Sequence, residues 1–113
     1  MNPGDVVLLP LLLVAGGGAK IRPTLYLAPL PGPYQTMLVC GMSTQLHTIR
    51  PNWDELIQPG DADFATSGLR QASVIRLSYL RTAQPTEVTA IIGHIDPARL
   101  ARLRTRLADQ VRP

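Results

Sequence analysis

Apolar and β-forming residues fall along this chain in short runs cut by proline and glycine, two of them alternating with a period of two, and switch to helical spacing only from residue 97 onward. Asp5 to Pro10 predicts a first strand. Leu-rich sequence follows, then Gly16-Gly17-Gly18, which predicts a mobile or tightly turned loop beside any cleft. Thr24 to Ala28, opened by Pro23, is the next run of β-formers, and Pro29, Pro31, Gly32 and Pro33 end it because proline brings no ladder donor. Thr36 to Ser43 is a third strand, with Met37, Val39, Gly41 and Ser43 on one face and Leu38, Cys40, Met42 and Thr44 on the other. Trp53 to Gln58 reads as a short fourth. In Ser73 to Thr82 the alternation is clearest: Ile75, Leu77 and Tyr79 share one face, Arg76 and Ser78 the other. Glu87 to His94 is the last strand. Asp96 is a good N-cap with Pro97 at the first helical position, and a helix over 97–111 would turn Leu100, Leu103, Leu107 and Val111 inward. Short strands with one terminal helix predict a mainly β, antiparallel barrel with a helical appendage.

At 113 residues the chain fits one domain, expected to span 1–113 without linker, repeat or low-complexity tract. Aromatics make up only 4%, so the core must come from Leu, Val, Ile and Ala, and dimerisation is an economical source of further burial. The run Val6 to Val14 follows Asp5 rather than a basic segment and contains Pro10, so it predicts a buried strand and not a signal peptide. It is too short for a membrane span. One cysteine, Cys40, excludes an internal disulfide and a Cys-rich zinc cage, and with only His47 and His94 beside it neither a metal nor a cofactor is expected. The reducing cytoplasm is the expected location.

Charge is unevenly spread. Residues 1–98 hold six basic and seven acidic side chains, whereas 99–113 hold Arg99, Arg102, Arg104, Arg106 and Arg112 against Asp109. The net charge of +3 thus belongs to the C-terminal segment; it permits a polyanionic partner without demanding one. On the helix these arginines read first as a solvated face over apolar stems, second as a strip for RNA or an acidic partner. Gly16 to Lys20 lacks the G-x-x-x-x-G-K-[ST] pattern of a phosphate loop. Nothing in the sequence brings His47 and His94 together as an acid/base pair, and Cys40 sits in an apolar strand where a thiol behaves as a small hydrophobe. Hydroxyls at a strand end, here Ser43 and Thr44, either bond a phosphate oxygen or merely finish the strand.

The order of short motifs says more than any one of them. Gly4-Asp5-Val6-Val7, Lys20-Ile21-Arg22-Pro23, Met42-Ser43-Thr44-Gln45, Ser67-Gly68-Leu69 and Ser73-Val74-Ile75-Arg76 through Arg81-Thr82 resemble, in order and spacing, the MazF/PemK (Kid) toxins of type II toxin–antitoxin systems. The resemblance runs from Gly4 into the terminal helix. It implies an SH3-like barrel of the CcdB/PemK kind, a homodimer, single-stranded RNA bound across the dimer cleft and cut without a metal, and a small acidic antitoxin encoded nearby that blocks the cleft. It carries the family's catalytic arginine onto Arg22, its hydroxyl residue onto Ser43 and its second arginine onto Arg76, with RNA contacts expected at Lys20, Pro23, Thr44, Gln45, Ser78 and Arg81. The implied products end in 2′,3′-cyclic phosphate and 5′-OH, since RNA supplies its own nucleophile in the 2′-OH. The chain departs from the pattern where many members have a glutamate before x-R-P, here Gly16 to Ala19, and an acid followed by glutamine after V-V-R-x, here Ser78 and Tyr79. The resemblance therefore assigns no general base. Two other functions fit the same fold: a toxin that poisons a protein such as DNA gyrase, and a catalytically inactive RNA- or protein-binding barrel.

Overall fold

Six of the runs cut out by proline and glycine pair into one antiparallel sheet. In the computed structural model, which describes residues 1–12 and 19–113, they are β1 (Asp5–Leu12), β2 (Ala19–Pro29), β3 (Met37–Ser43), β4 (Glu55–Ile57), β5 (Ser73–Ala83) and β6 (Ala90–His94). A one-turn helix α1 (Phe64–Ser67) precedes β5 and helix α2 (Pro97–Val111) ends the chain. The spatial order is β4-β5-β3-β2-β1-β6, curled into a half-barrel, so the mainly β barrel with a C-terminal helix holds. Strand ends differ from expectation: β1 and β2 are longer, β4 is shorter, and Glu87 belongs to a 3-10 turn (Pro85–Glu87) ahead of β6. The expected Gly16–Gly18 loop lies outside the described residues.

Two prolines that should interrupt strands sit inside them. Pro10 faces Ile21 and Pro23 faces Leu8 across the β1–β2 ladder. The Leu8 carbonyl accepts from the Thr89 N–H, so it points toward the β6 side and the Leu8–Pro23 pair exchanges no hydrogen bonds. Pro10, two residues on, falls in the same class. Each proline thus directs its missing donor away from the β1–β2 ladder. Pairing on that second side is over in both cases: β6 leaves β1 after Leu8, and β3 leaves β2 after Thr24.

Both faces of the sheet are buried. Val6, Leu25, Leu27, Cys40, Ile75, Leu77 and Leu103 belong to one cluster, while Val7, Leu9, Tyr26, Met37, Val39 and Ala83 form the other. The alternation expected for β3 is therefore realised, with apolar partners on each side. Leu103 is fully buried and Leu100 and Leu107 pack against the first cluster. Val111 does not: it is 65% exposed, because the helix outruns the core after Leu107.

Beside the leucine stripe, Arg99, Arg102 and Arg106 form a second one at spacings of three and four, and it corrects the expected solvated or RNA-facing strip. Arg99 is buried and grips Asp63 with Nε at 2.8 Å and NH2 at 2.9 Å; it also reaches Glu55 at 2.8 Å and Asp61 at 3.0 Å. Arg102 makes two 2.9 Å bonds to Glu55, and Arg106 a third contact at 3.1 Å. Arg104 donates to the Leu27 carbonyl at 2.7 Å. The helical surplus is thus largely neutralised by acids around β4. The hydrogen bond from Arg99 holds the Asp63 carboxyl below the usual carboxylate range, outweighing the opposing effect of burial. Burial alone would raise Glu55, but the hydrogen bond and charge of Arg102, with the charges of Arg99 and Arg106, bring it below its ordinary value.

Removing Arg99 strands buried carboxylates, so Arg99→Ala should cost about 3–5 kcal/mol in urea unfolding. Arg102, whose side chain is 52% exposed, should cost no more than about 1 kcal/mol. Because both carboxylates have lowered native pKa values, the stabilisation is complete above the unfolded carboxylate range, near pH ~4, and is lost as pH falls through the lower native values. The urea midpoint should hold between pH 7 and about 5.5 and drop below about pH 4; in Arg99→Ala that acid limb should flatten.

Candidate functional site

The ladder between β2 and β3 ends at Thr24 opposite Gly41. One residue earlier stands Pro23, which has no N–H to offer Met42, and there the two strands part. The opening is the mouth of a cleft of about 670 Å³, lined from β2 by Arg22 and Pro23 and from β3 by Gly41 through Ser43 with Thr44 and Gln45 beyond. Continuing the β2–β3 register by two residues sets Arg22 opposite Ser43. The Ser43 hydroxyl oxygen accepts from the Gln45 N–H at 3.0 Å, leaving its own O–H free to donate into the cleft.

The third wall is β5, whose pairing with β3 jumps by three residues between Cys40–Leu80 and Gly41–Arg76. Leu77, Ser78 and Tyr79 therefore have no partner on β3. This bulge overturns the expected facing of the strand, since an odd number of extra residues reverses parity. Tyr79 comes round to line the cleft with Arg76, and Ser78 is drawn to the buried Asp54. Both the Ser78 N–H at 3.0 Å and its hydroxyl at 2.8 Å donate to that carboxylate, which also receives the Arg50 N–H at 2.9 Å. In the cleft, the Arg76 guanidinium lies 5.6 Å from the centre of the Tyr79 ring. Its Nε is buried without a hydrogen-bond partner. A buried donor left unmade costs free energy that a ligand acceptor can recover.

The fourth wall comes from the connection between β4 and β5. Gly68, at φ +76°, lies so close to β6 that a β-carbon would stand 2.1 Å from the Ile92 carbonyl oxygen, and one on Gly93 would meet the Thr66 oxygen at 2.1 Å. Backbone touches backbone, and only two glycines allow it. That seam explains Ser67-Gly68-Leu69, a motif without a role in the sequence alone, and it carries Leu69, Arg70 and Gln71 to the rim of the cleft.

Arg22, Ser43, Arg76, Pro23, Thr44 and Gln45 therefore meet in one cleft. Lys20, Ser78 and Arg81 are not among its lining residues: Lys20 is exposed farther along β2, Ser78 is bound to Asp54, and Arg81 holds the Pro10 carbonyl and pairs with Glu87. Arg70, Gln71 and Tyr79 are the residues the sequence reading did not place here. The only available signal was the polar Arg70-Gln71 pair after a glycine turn; Tyr79 had none, because strand parity pointed it the other way. Among the described residues, Arg22, Arg70 and Arg76 make no ion pair, whereas Arg81, Arg99, Arg102, Arg106 and Arg112 each do. Three cations without carboxylate partners thus gather in the cleft. No carboxylate, histidine or thiol is among the described residues lining it. Cys40 lies beneath, fully buried, its thiol pushed up to about 12 by burial with help from Asp54. No group of three or more His, Cys, Asp or Glu is placed to hold a metal ion among the described residues.

Over residues 2–111 the sequence matches the profile of the PemK-like, MazF-like toxins of type II toxin–antitoxin systems. The chain belongs to that family. Among solved structures it is similar to the Mycobacterium tuberculosis toxin MazF-mt6, at 19% identity over 93% of both chains and a TM-score of 0.66. It is also similar to an endoribonuclease in complex with its cognate antitoxin from Mycobacterial species, at 18% identity over 96% of this chain and 92% of that one, with a TM-score of 0.63. No curated protein matches the sequence. The match is to the PemK/MazF toxins, so the gyrase-directed alternative is not favoured. No helix among the described residues is long and apolar enough to cross a membrane.

In this PemK/MazF-like toxin the Gly68–Gly93 seam is the joint that closes the cleft. Gly93→Ala must force two backbones apart and should lower stability by roughly 1–3 kcal/mol or more, as overpacking does. Thermal unfolding of the variant checks this, and an unchanged melting temperature would show that the seam is not tight.

Proposed function

We propose that this toxin is a metal-independent endoribonuclease that cuts single-stranded RNA and leaves 2′,3′-cyclic phosphate and 5′-OH ends. The observation that carries the reading is the convergence of Arg22, Arg76 and the Ser43 hydroxyl in one cleft, with the Arg76 Nε–H buried and lacking any protein acceptor. An endoribonuclease among the structurally similar proteins adds support. The 2′-oxygen attacks the adjacent phosphorus and the bond to the 5′-oxygen breaks; the proton lost from the 2′-OH is balanced by one gained at the leaving 5′-oxygen. Arg22 and Arg76 carry the catalytic load by holding the non-bridging oxygens, where charge grows as the phosphorane forms. Ser43 donates to the same phosphate. With three cations around it the 2′-OH is acidified, and solvent hydroxide removes its proton, because no carboxylate or imidazole among the described residues lines the cleft to take it. Thr44, Gln45 and Pro23 shape the path of the strand beside the cut.

The same reading makes the toxin a homodimer, for which the exposed apolar side chains Ile21, Leu46, Ile49, Leu80 and Ile91 provide surface. Its partner is a small acidic antitoxin encoded nearby, drawn to the cleft by the arginines that lack protein partners.

Arg22→Ala should leave the fold intact and lower RNA cleavage by about 3–4 kcal/mol in the barrier, roughly 10²- to 10³-fold, with growth arrest lost on expression. Wild-type cleavage by that soluble variant would sink the assignment, and lysine at the same position should rescue poorly because it lacks the planar fork. The cleavage rate measured in chelator should climb steadily from pH 6 to about 8.5 without the bell of a paired acid and base; a bell would mean that a side chain takes the proton. Binding of a 2′-deoxy oligonucleotide should show a log–log salt slope of about −2, from up to three neutralised phosphates. Arg102→Gln should not change that slope.

A further inference from the structure

We propose that Tyr79 is the positioning residue for Arg76, and that the glycine at 41 and the carboxylate at 54 exist in this chain to seat its ring. Gly41 and Arg76 are cross-strand partners. A β-carbon on Gly41 would lie 3.2 Å from Cδ1 and 3.5 Å from Cγ of Tyr79, so the ring occupies the space a side chain at 41 would claim. The ring thereby lies beside the next residue across the ladder, Arg76, with the guanidinium carbon 5.6 Å from its centroid. That is inside the range of about 6 Å over which an aromatic face attracts a guanidinium.

The need for such a seat follows from the state of Arg76. Its Nε is buried and unpartnered, and no carboxylate fixes the guanidinium among the described residues. A long side chain held by nothing else gives up several rotamers when it engages a phosphate, and lost order costs rate. An aromatic face orients the planar cation without neutralising it, which a carboxylate would do. Tyr79 reaches this position only because of the bulge at 77–79, and the bulge stands because Asp54 takes the Ser78 N–H that β3 no longer satisfies. Ser78 and Tyr79 thus form one device: the first anchors the bulge, the second aims the arginine.

The activity arm rests on the ribonuclease reading; a second arm does not. In ¹H–¹⁵N spectra of the free protein the Arg76 Nε–H, identified by its loss in Arg76→Lys, should be slow to exchange and shifted by the ring. Tyr79→Leu should move it to the position of a solvated arginine, and Tyr79→Phe should restore it. An Arg76 signal unmoved in Tyr79→Leu overturns the proposal. Should Tyr79→Leu fail to fold, Gly41→Ala crowds the ring in the intact chain and should shift the same signal; no shift there also overturns it. On RNA, Tyr79→Leu should lower kcat by on the order of 10- to 100-fold with KM within about 3-fold, and Tyr79→Phe should recover most of the loss. Unchanged kcat in Tyr79→Leu, with the parent active, overturns the positioning role. If the parent itself cuts no RNA, the ribonuclease reading fails and the Arg76 signal alone decides this proposal.

Discussion

A backbone N–H that leaves a sheet must find another acceptor, and in this protein the acceptor is the buried carboxylate of Asp54. Three residues of β5 have no place opposite β3, and the Ser78 N–H among them is collected from the β3–β4 connection. That bond, doubled by the Ser78 hydroxyl, lets the strand change parity in mid-course without a buried orphan. Everything beyond the bulge follows from it. Ile75 and Leu77 stay in the core on one side, while Tyr79 turns into the cleft with Arg76.

The second organising fact is how the arginines are divided. Sequence counting puts the positive surplus at the C-terminus, yet Arg99, Arg102 and Arg106 spend their charge on Glu55, Asp61 and Asp63, tying α2 to the β4 edge. Arg22, Arg70 and Arg76 have no such partners among the described residues, and they face one opening. A polyanion entering the cleft therefore meets three cationic side chains from three separate strands or loops, although none of them stands out in the linear charge pattern. The terminal helix ties the sheet edge down, and the cleft gathers cations that no carboxylate among the described residues neutralises.

Much of this was legible in the sequence, and what was not has a common cause. Short apolar and β-forming runs bounded by proline and glycine located all six strands, the Asp96-Pro97 signature located the start of α2, and the motif order brought Arg22, Ser43 and Arg76 to one site. The failures came where a residue's surroundings are set by distant chain. Strand parity sent Tyr79 to the wrong face because the bulge depends on Asp54, 24 positions earlier. Arg99 read as solvated because its acids lie 36 to 44 residues upstream. Ser78 and Arg81 lay in a motif but are engaged elsewhere in the fold, and Val111 kept the helical period after the core had ended.

Pro23 has a meaning for what can occupy the cleft. Where β2 and β3 part, a bare strand edge would offer alternating donors and acceptors, the pattern that lets a foreign strand zip onto a sheet. Pro23 removes one donor at the mouth, so a polypeptide that extended the ladder there would lack that rung. The phosphates of a polynucleotide bring acceptor oxygens and negative charge, which donors and cations satisfy, so an edge that lacks a rung for a β-strand still suits them.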